Sequence, residues 1–216
     1  MKSQLIYLYD ALCGWCYGFS PVLQQAKEKY QDHISFETMS GGMMLGPRTG
    51  PLSEVAPYIR TAYRQVEATT GVRFGEGYIQ RILTPGTAIL SSEMPGVALT
   101  VFRHYRPDDT LSFAHALQNI HYFDGLDLND TESYRTLAEE FGLPAEEFLA
   151  SLHDEKYRYE TTQEFQTVAN WGISGFPTVL LRPHNDRQYF MIAKGYTPFE
   201  RIDAVITTVL GDAGLL

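Results

Sequence analysis

The chain has 216 residues, 44% of them hydrophobic, and a formal net charge of −9. That length and apolar content suffice for a proper core, either as one domain or as a domain carrying a large insertion. The acidic balance argues against nucleic acid or anionic lipid as the main partner, and no apolar run approaches the length of a membrane span.

Residues 5–9 (Leu-Ile-Tyr-Leu-Tyr) form a short β-prone run, the pattern of a strand buried on both faces. The segment "DALCGWCYGFSPVL" follows and holds both cysteines, Cys13 and Cys16, three positions apart. From there Trp15, Phe19, Val22, Leu23, Ala26 and Tyr30 recur with a helical period. Ser20-Pro21 within that run reads as a kink, or as a fresh helix start capped by Ser20. Residues 34–39 alternate as a second strand and stop at Gly41-Gly42. The opening is therefore βαβ, and the right-handed crossover makes its two strands parallel. Residues 53–171 are helical in period almost throughout, with helices expected near 53–69, 94–105, 109–123, 131–141, 145–152 and 155–170. Residues 178–182 read as a buried strand, His184-Asn185-Asp186 as a turn, 188–193 as its hairpin partner and 197–210 as a closing helix. A helical block of this size is too large for a loop and reads as an inserted subdomain.

Two thiols at this spacing admit three readings. A structural zinc needs four ligands, but there is one Cys pair, and histidines 33, 104, 115, 121, 153 and 184 lack ligand spacing; no metal is expected. An inert buried pair accounts poorly for the only two cysteines meeting at a strand–helix junction, and a disulfide closing so short a loop stabilises little. The redox reading fits best. Cys13 falls at the first turn of a helix, where free N–H groups and the positive dipole end favour a thiolate, lowering a thiol pKa from about 8.5 into a range of roughly 3.5–7.5. Cys16, one turn on, is within reach to resolve a mixed disulfide. Trp15 between them either shields the pair, as a substrate contact, or packs in the core.

"GISGFPTVLL" at 172–181 carries a second signal. An X-Pro bond is the one peptide bond with an accessible cis form, so Pro177 reads as a cis proline facing the thiols. Phe176 would then offer its backbone N–H and C=O to an extended substrate segment. Asp10 reads as the helix N-cap in preference to a proton-transfer group. Met43 and Met44 read as core rather than groove, and Tyr58, Tyr63, Tyr78, Tyr105 and Tyr122 as helix packing rather than a cleft.

The order strand, "CGWC" helix, strand, helical insertion, "GFPTV", hairpin and helix resembles the thioredoxin-like fold. The insertion places it near the DsbA-like branch, and "CGWCYGF" with "GLDLNDTESYRTLAEEFG" resembles the FrnE-type and protein-disulfide-isomerase members of that branch. The resemblance implies an α/β thioredoxin-like unit from residues 1–45 and 165–216, with 46–164 as inserted helical subdomain. It also implies thiol–disulfide exchange, with Cys13 attacking, Cys16 resolving and Pro177 as the cis proline after a substrate-contacting residue. Tyr7 stands where many such proteins carry a buried acid. The expected activity is a cytoplasmic thiol:disulfide oxidoreductase, a reductase or isomerase of protein or small-molecule disulfides. Its own dithiol serves as redox centre and glutathione or thioredoxin as external reductant; homodimerisation is left open. The cytoplasmic expectation comes from Met1-Lys2-Ser3-Gln4 running straight into strand without a secretory leader. Kappa-class glutathione transferases and related isomerases resemble this layout but usually have serine at the position of Cys13. That class and a redox-sensing, chaperone-like binding protein are the alternatives.

Overall fold

The apolar run at 5–9 lies at the centre of a four-stranded sheet in the computed structural model of the chain, which describes residues 2–212. In chain order the elements are β1 (Ser3–Tyr9), α1 (Gly14–Tyr30), β2 (Ile34–Ser40), β3 (Gly50–Pro51), α2 (Ala56–Thr70), α3 (Glu76–Tyr78), β4 (Ile89–Leu90) and α4 (Glu93–Tyr105). They continue with α5 (Thr110–Tyr122), α6 (Arg135–Glu140), α7 (Ala145–Ser151), α8 (Glu155–Asn170), β5 (Thr178–Arg182), β6 (Phe190–Lys194) and α9 (Phe199–Asp212). The sheet order is β2-β1-β5-β6. β1 and β2 are parallel, as the crossover requires, while β5 runs antiparallel to both β1 and β6.

Because β1 has strands on both edges and helices on both faces, its side chains divide strictly by parity. Leu5, Tyr7 and Tyr9 join the main core with Phe19 and Leu23 of α1 and Ile202, Ile206 and Leu210 of α9. Ile6 and Leu8 pack on the opposite face with Met39, Leu180 and Val168 of α8. The buried stripe of α1 is Cys16, Phe19, Leu23, Ala26 and Tyr30, steps of three and four that keep one helical face inward. The fresh start at Ser20 does not occur: α1 runs unbroken through Pro21, and the Ser20 hydroxyl hydrogen-bonds His115 Nδ1 at 2.8 Å instead of capping.

Two elements carry no periodic signal. One is α3, which continues as a π turn over Ile79–Leu83. A Cβ at Gly75 would lie 2.0 Å from the Phe123 carbonyl oxygen, and one at Gly77 2.2 Å from that of Asp124. Glycine at both positions lets this segment lie directly on the chain that leaves α5. The other is the β3–β4 ladder, two residues long and too short to show alternation. Helix α2 begins at Ala56, later than expected, because a 3-10 turn occupies Leu52–Glu54.

The helices are fastened to the end of β2. Arg103 of α4 pairs with Glu164 of α8 at 2.7 Å and donates to the Thr38 carbonyl at 2.9 Å. Glu164 also accepts the Ser40 amide at 2.6 Å. This pair, its carboxylate buried, therefore sets where the chain leaves β2 for Gly41. Among the described residues no helix is long and apolar enough to cross a membrane.

Candidate active site

Cys13 occupies the N-cap position of α1, with φ −94° and ψ 107°, and its Sγ accepts the Cys16 amide at 3.3 Å. The sulfur thus sits where unpaired first-turn amides and the helix dipole favour negative charge. On its other side the thiol donates to the Phe176 carbonyl at 3.5 Å. Both cysteines are free thiols. Cys13 keeps 6% of its surface accessible and Cys16 none. Burial first, then the hydrogen bond to Cys13, pushes the Cys16 thiol well above the ordinary range. One thiol is presented and the other is held back as SH.

The residues around the pair come from four segments. Tyr7, on β1, donates its hydroxyl to the Cys16 carbonyl at 3.3 Å. Burial pushes that phenol well above its usual value, the neighbouring Cys16 and Cys13 adding to the effect, so it stays a neutral donor below the second thiol. Asp10 corrects the sequence expectation. Its carboxylate does not cap α1, because the chain turns at residues 11–12 and brings Cys13 into the cap. Instead, fully buried, it accepts the Leu12 amide at 3.0 Å and the Met43 amide at 2.7 Å, tying the turn before α1 to the loop after β2. Burial raises its pKa, with the Met43 and Leu12 amides opposing. Gln118 of α5, which no sequence signal marks, donates to the carbonyls of Asp10 at 3.2 Å and Cys13 at 3.4 Å.

The Phe176–Pro177 peptide is cis, and Pro177 is buried immediately before β5. Phe176 is half-buried, and its ring covers Gly41: a Cβ there would lie 1.9 Å from the ring. Gly41, read from sequence only as the end of a strand, is therefore what lets the Phe176 carbonyl reach Cys13.

On the other side of Cys13 opens a cavity of about 250 Å³. Trp15, half-buried, lines it with Cys13 and Gly14. Met43 and Met44 pack against the cores, as expected, and line it too, because the Asp10 and Ser92 hydrogen bonds to their amides hold that loop against the thiol. Tyr78 and Tyr122 belong to the core beneath it and Tyr63 packs on that core, as expected; all three also line the cavity, with the largely exposed Tyr58, whereas Tyr105 lies apart against Phe148. Helical period identifies an inward face but not whether that face meets another side chain or empty space. Tyr122, Phe74 and Tyr78 form an aromatic floor with ring centroids 5.1–5.6 Å apart. Among the described residues no cluster of His, Cys, Asp or Glu is arranged to hold a metal ion.

No family model and no curated protein sequence matches the chain. Solved structures do. A protein provisionally named a protein disulfide isomerase, from Nitrosomonas europaea, is 27% identical over 98% of this chain and 99% of that one, with a TM-score of 0.85. The cytosolic disulfide reductase DsbM of Pseudomonas aeruginosa is 25% identical over 95% and 98%, with a TM-score of 0.79. The structure of DsbM with GSH gives 26% identity, coverage of 95% and 98% and a TM-score of 0.76.

Proposed function

Since the chain is a DsbA-like thiol:disulfide oxidoreductase of the thioredoxin fold, we propose that it reduces or isomerises disulfides through the dithiol Cys13-Gly14-Trp15-Cys16. The observation that carries this reading is the asymmetry of the two thiols: Cys13 caps a helix and reaches solvent, while Cys16 is fully enclosed. Cys13, as thiolate, attacks one sulfur of the substrate disulfide; that S–S bond breaks, and the leaving thiolate takes up a proton. Cys16 then gives up its proton and attacks Cys13 Sγ, releasing the second substrate thiol and closing the Cys13–Cys16 bond. The substrate has gained two electrons and two protons. Two equivalents of glutathione, or one of a thioredoxin-type dithiol, return the pair to its reduced form.

The first attack starts from charge held on Cys13 Sγ, next to the Cys16 amide, and passes it to the leaving substrate sulfur. The second develops it on a buried sulfur, where the Tyr7 phenol is the neighbouring donor. Phe176, which accepts from Cys13, and Pro177 beside it would receive an extended substrate segment. In this reading residues 1–45 and 165–216 supply the sulfurs and that edge, and inserted residues 46–164 supply most of the cavity wall. The name of DsbM, a cytosolic disulfide reductase solved with GSH, supports reduction in the cytoplasm and glutathione as reductant.

The test is disulfide turnover by the native protein, Cys13→Ala and Cys16→Ser. Cys13→Ala should lose turnover, and Cys16→Ser should accumulate a mixed disulfide on Cys13. Undiminished turnover in Cys13→Ala would end the proposal. Full turnover in Cys16→Ser would favour a glutathione-dependent transferase or isomerase.

A further inference from the structure

Gln118 of α5 is fully buried, and packing alone does not account for how its amide is used. Its Nε2 donates to the carbonyls of Asp10 and Cys13, the two ends of the turn that delivers Cys13 to the start of α1. Neither carbonyl needs that donor. The Cys13 amide already donates to the Asp10 carbonyl at 3.1 Å, and the Tyr17 amide to the Cys13 carbonyl at 3.1 Å. Gln118 Oε1, by contrast, is buried with no hydrogen-bond partner among the described residues. The glutamine thus adds second donors to two satisfied oxygens and leaves its own acceptor unpaired, which is costly inside a protein. The neighbouring buried residues of α5, Ala114 and Leu117, are apolar. An unbranched apolar side chain would occupy the place of Gln118 without that cost.

What the amide does serve is the sulfur on the same turn. When Cys13 is a thiolate, the negative ends of the Asp10 and Cys13 carbonyls share the turn with its charge, in surroundings that screen poorly. The two N–H groups of Gln118 lie on those oxygens and offset them. In the Cys13–Cys16 disulfide there is no charge for them to act on. We propose that Gln118 is a positioning residue of the dithiol: by gripping both ends of the turn it favours reduced, ionised Cys13 over the Cys13–Cys16 disulfide. Gln118 lies among the inserted residues, so a helix that supplies neither sulfur sets the redox poise of both. This inference rests on the dithiol reading above.

Its test is the equilibrium of the native protein, Gln118→Met and Gln118→Glu with mixtures of glutathione and glutathione disulfide at pH 7. The readout is the fraction of Cys13–Cys16 disulfide after acid quench, with the melting of each reduced protein measured alongside. In this equilibrium the two thiols give two electrons and two protons to glutathione disulfide, whose S–S bond breaks to leave two glutathione molecules. Gln118→Met should shift it toward the protein disulfide by about fivefold, the worth of one hydrogen bond, which makes the potential about 20 mV more negative. Reduced Gln118→Met should also be alkylated at Cys13 about fivefold more slowly at pH 7, while melting no earlier than the native protein. Gln118→Glu keeps the shape but exchanges the donating amide for a carboxyl, and should shift the equilibrium the same way. An equilibrium in Gln118→Met equal to the native one, or displaced toward the thiols, would overturn the inference, whatever the melting shows, and leave the dithiol reading standing. Should Gln118→Met fail to fold, the same outcomes in Gln118→Glu decide. A native protein that forms no Cys13–Cys16 disulfide in any glutathione mixture would overturn the dithiol reading, and this inference with it.

Discussion

Replacing Gly41 by Ala tests the link between the end of β2 and the thiol. The new Cβ would sit 1.9 Å from Phe176 Cζ and 2.1 Å from Cε1, where ordinary contact begins at 3.4 Å. Something must therefore move by about 1.5 Å. Gly41 is held by the hydrogen bond its amide donates to the Tyr9 carbonyl at 2.7 Å, so the Phe176 ring is the part that yields. That ring is wedged against both cores and shares its residue with the carbonyl that accepts from Cys13. Overpacking of this kind costs about 1–3 kcal/mol of stability. Displacing a reacting group by about 1 Å costs up to about a hundredfold in rate. Gly41→Ala should accordingly melt earlier and reduce a model disulfide about tenfold to a hundredfold more slowly. Adding Phe176→Ala should recover part of the stability lost in Gly41→Ala, because the obstructing ring is gone. A Gly41→Ala protein with native melting and native turnover would refute the reasoning.

Burial holds the Cys16 thiol protonated, so closure of the Cys13–Cys16 bond should accelerate about tenfold per pH unit between pH 7 and 9; rapid-quench measurement of mixed-disulfide release checks this, and a flat profile contradicts it. Tyr7→Phe removes the phenol beside Cys16 and should slow that closing step by about fivefold, the worth of roughly 1 kcal/mol of hydrogen bonding, while leaving the first attack unchanged. The Asp10 carboxyl titrates above its unfolded value of about 3.9 because it is buried. The folded state therefore holds this proton more tightly, and the resulting stability is complete below the unfolded value and lost as pH rises through the raised folded one. Asp10→Asn removes that titration, so its stability relative to the native protein should climb in urea melts from pH 4 to pH 7. A difference independent of pH would show that Asp10 is not perturbed.

Much of the frame is local and was therefore legible in sequence. The apolar run of β1, the three-and-four spacing of Phe19, Leu23, Ala26 and Tyr30, and the Cys-x-x-Cys at a strand–helix junction each reflect neighbouring residues only. The Phe-Pro before β5 is of the same kind. What the sequence conceals depends on partners far along the chain. Asp10 reads as a cap because Asp often serves as one, but its second acceptor oxygen is claimed by Met43, 33 residues on. Gly41 is required by Phe176, and Gln118 serves the Asp10 and Cys13 carbonyls. Neither shows any local pattern. Tyr63 of α2 and Tyr122 of α5 face inward as their period requires, but the cavity exists only because four helices and the β2–β3 loop converge without filling it.

The inequality of the two thiols is measured most directly by brief alkylation of the reduced native protein with iodoacetamide at pH 7, followed by peptide mapping of both cysteines. Cys13, which reaches solvent at the helix N-terminus, should be modified long before the enclosed Cys16. Equal labelling of the two, or earlier labelling of Cys16, would contradict the assignment of attacker and resolver.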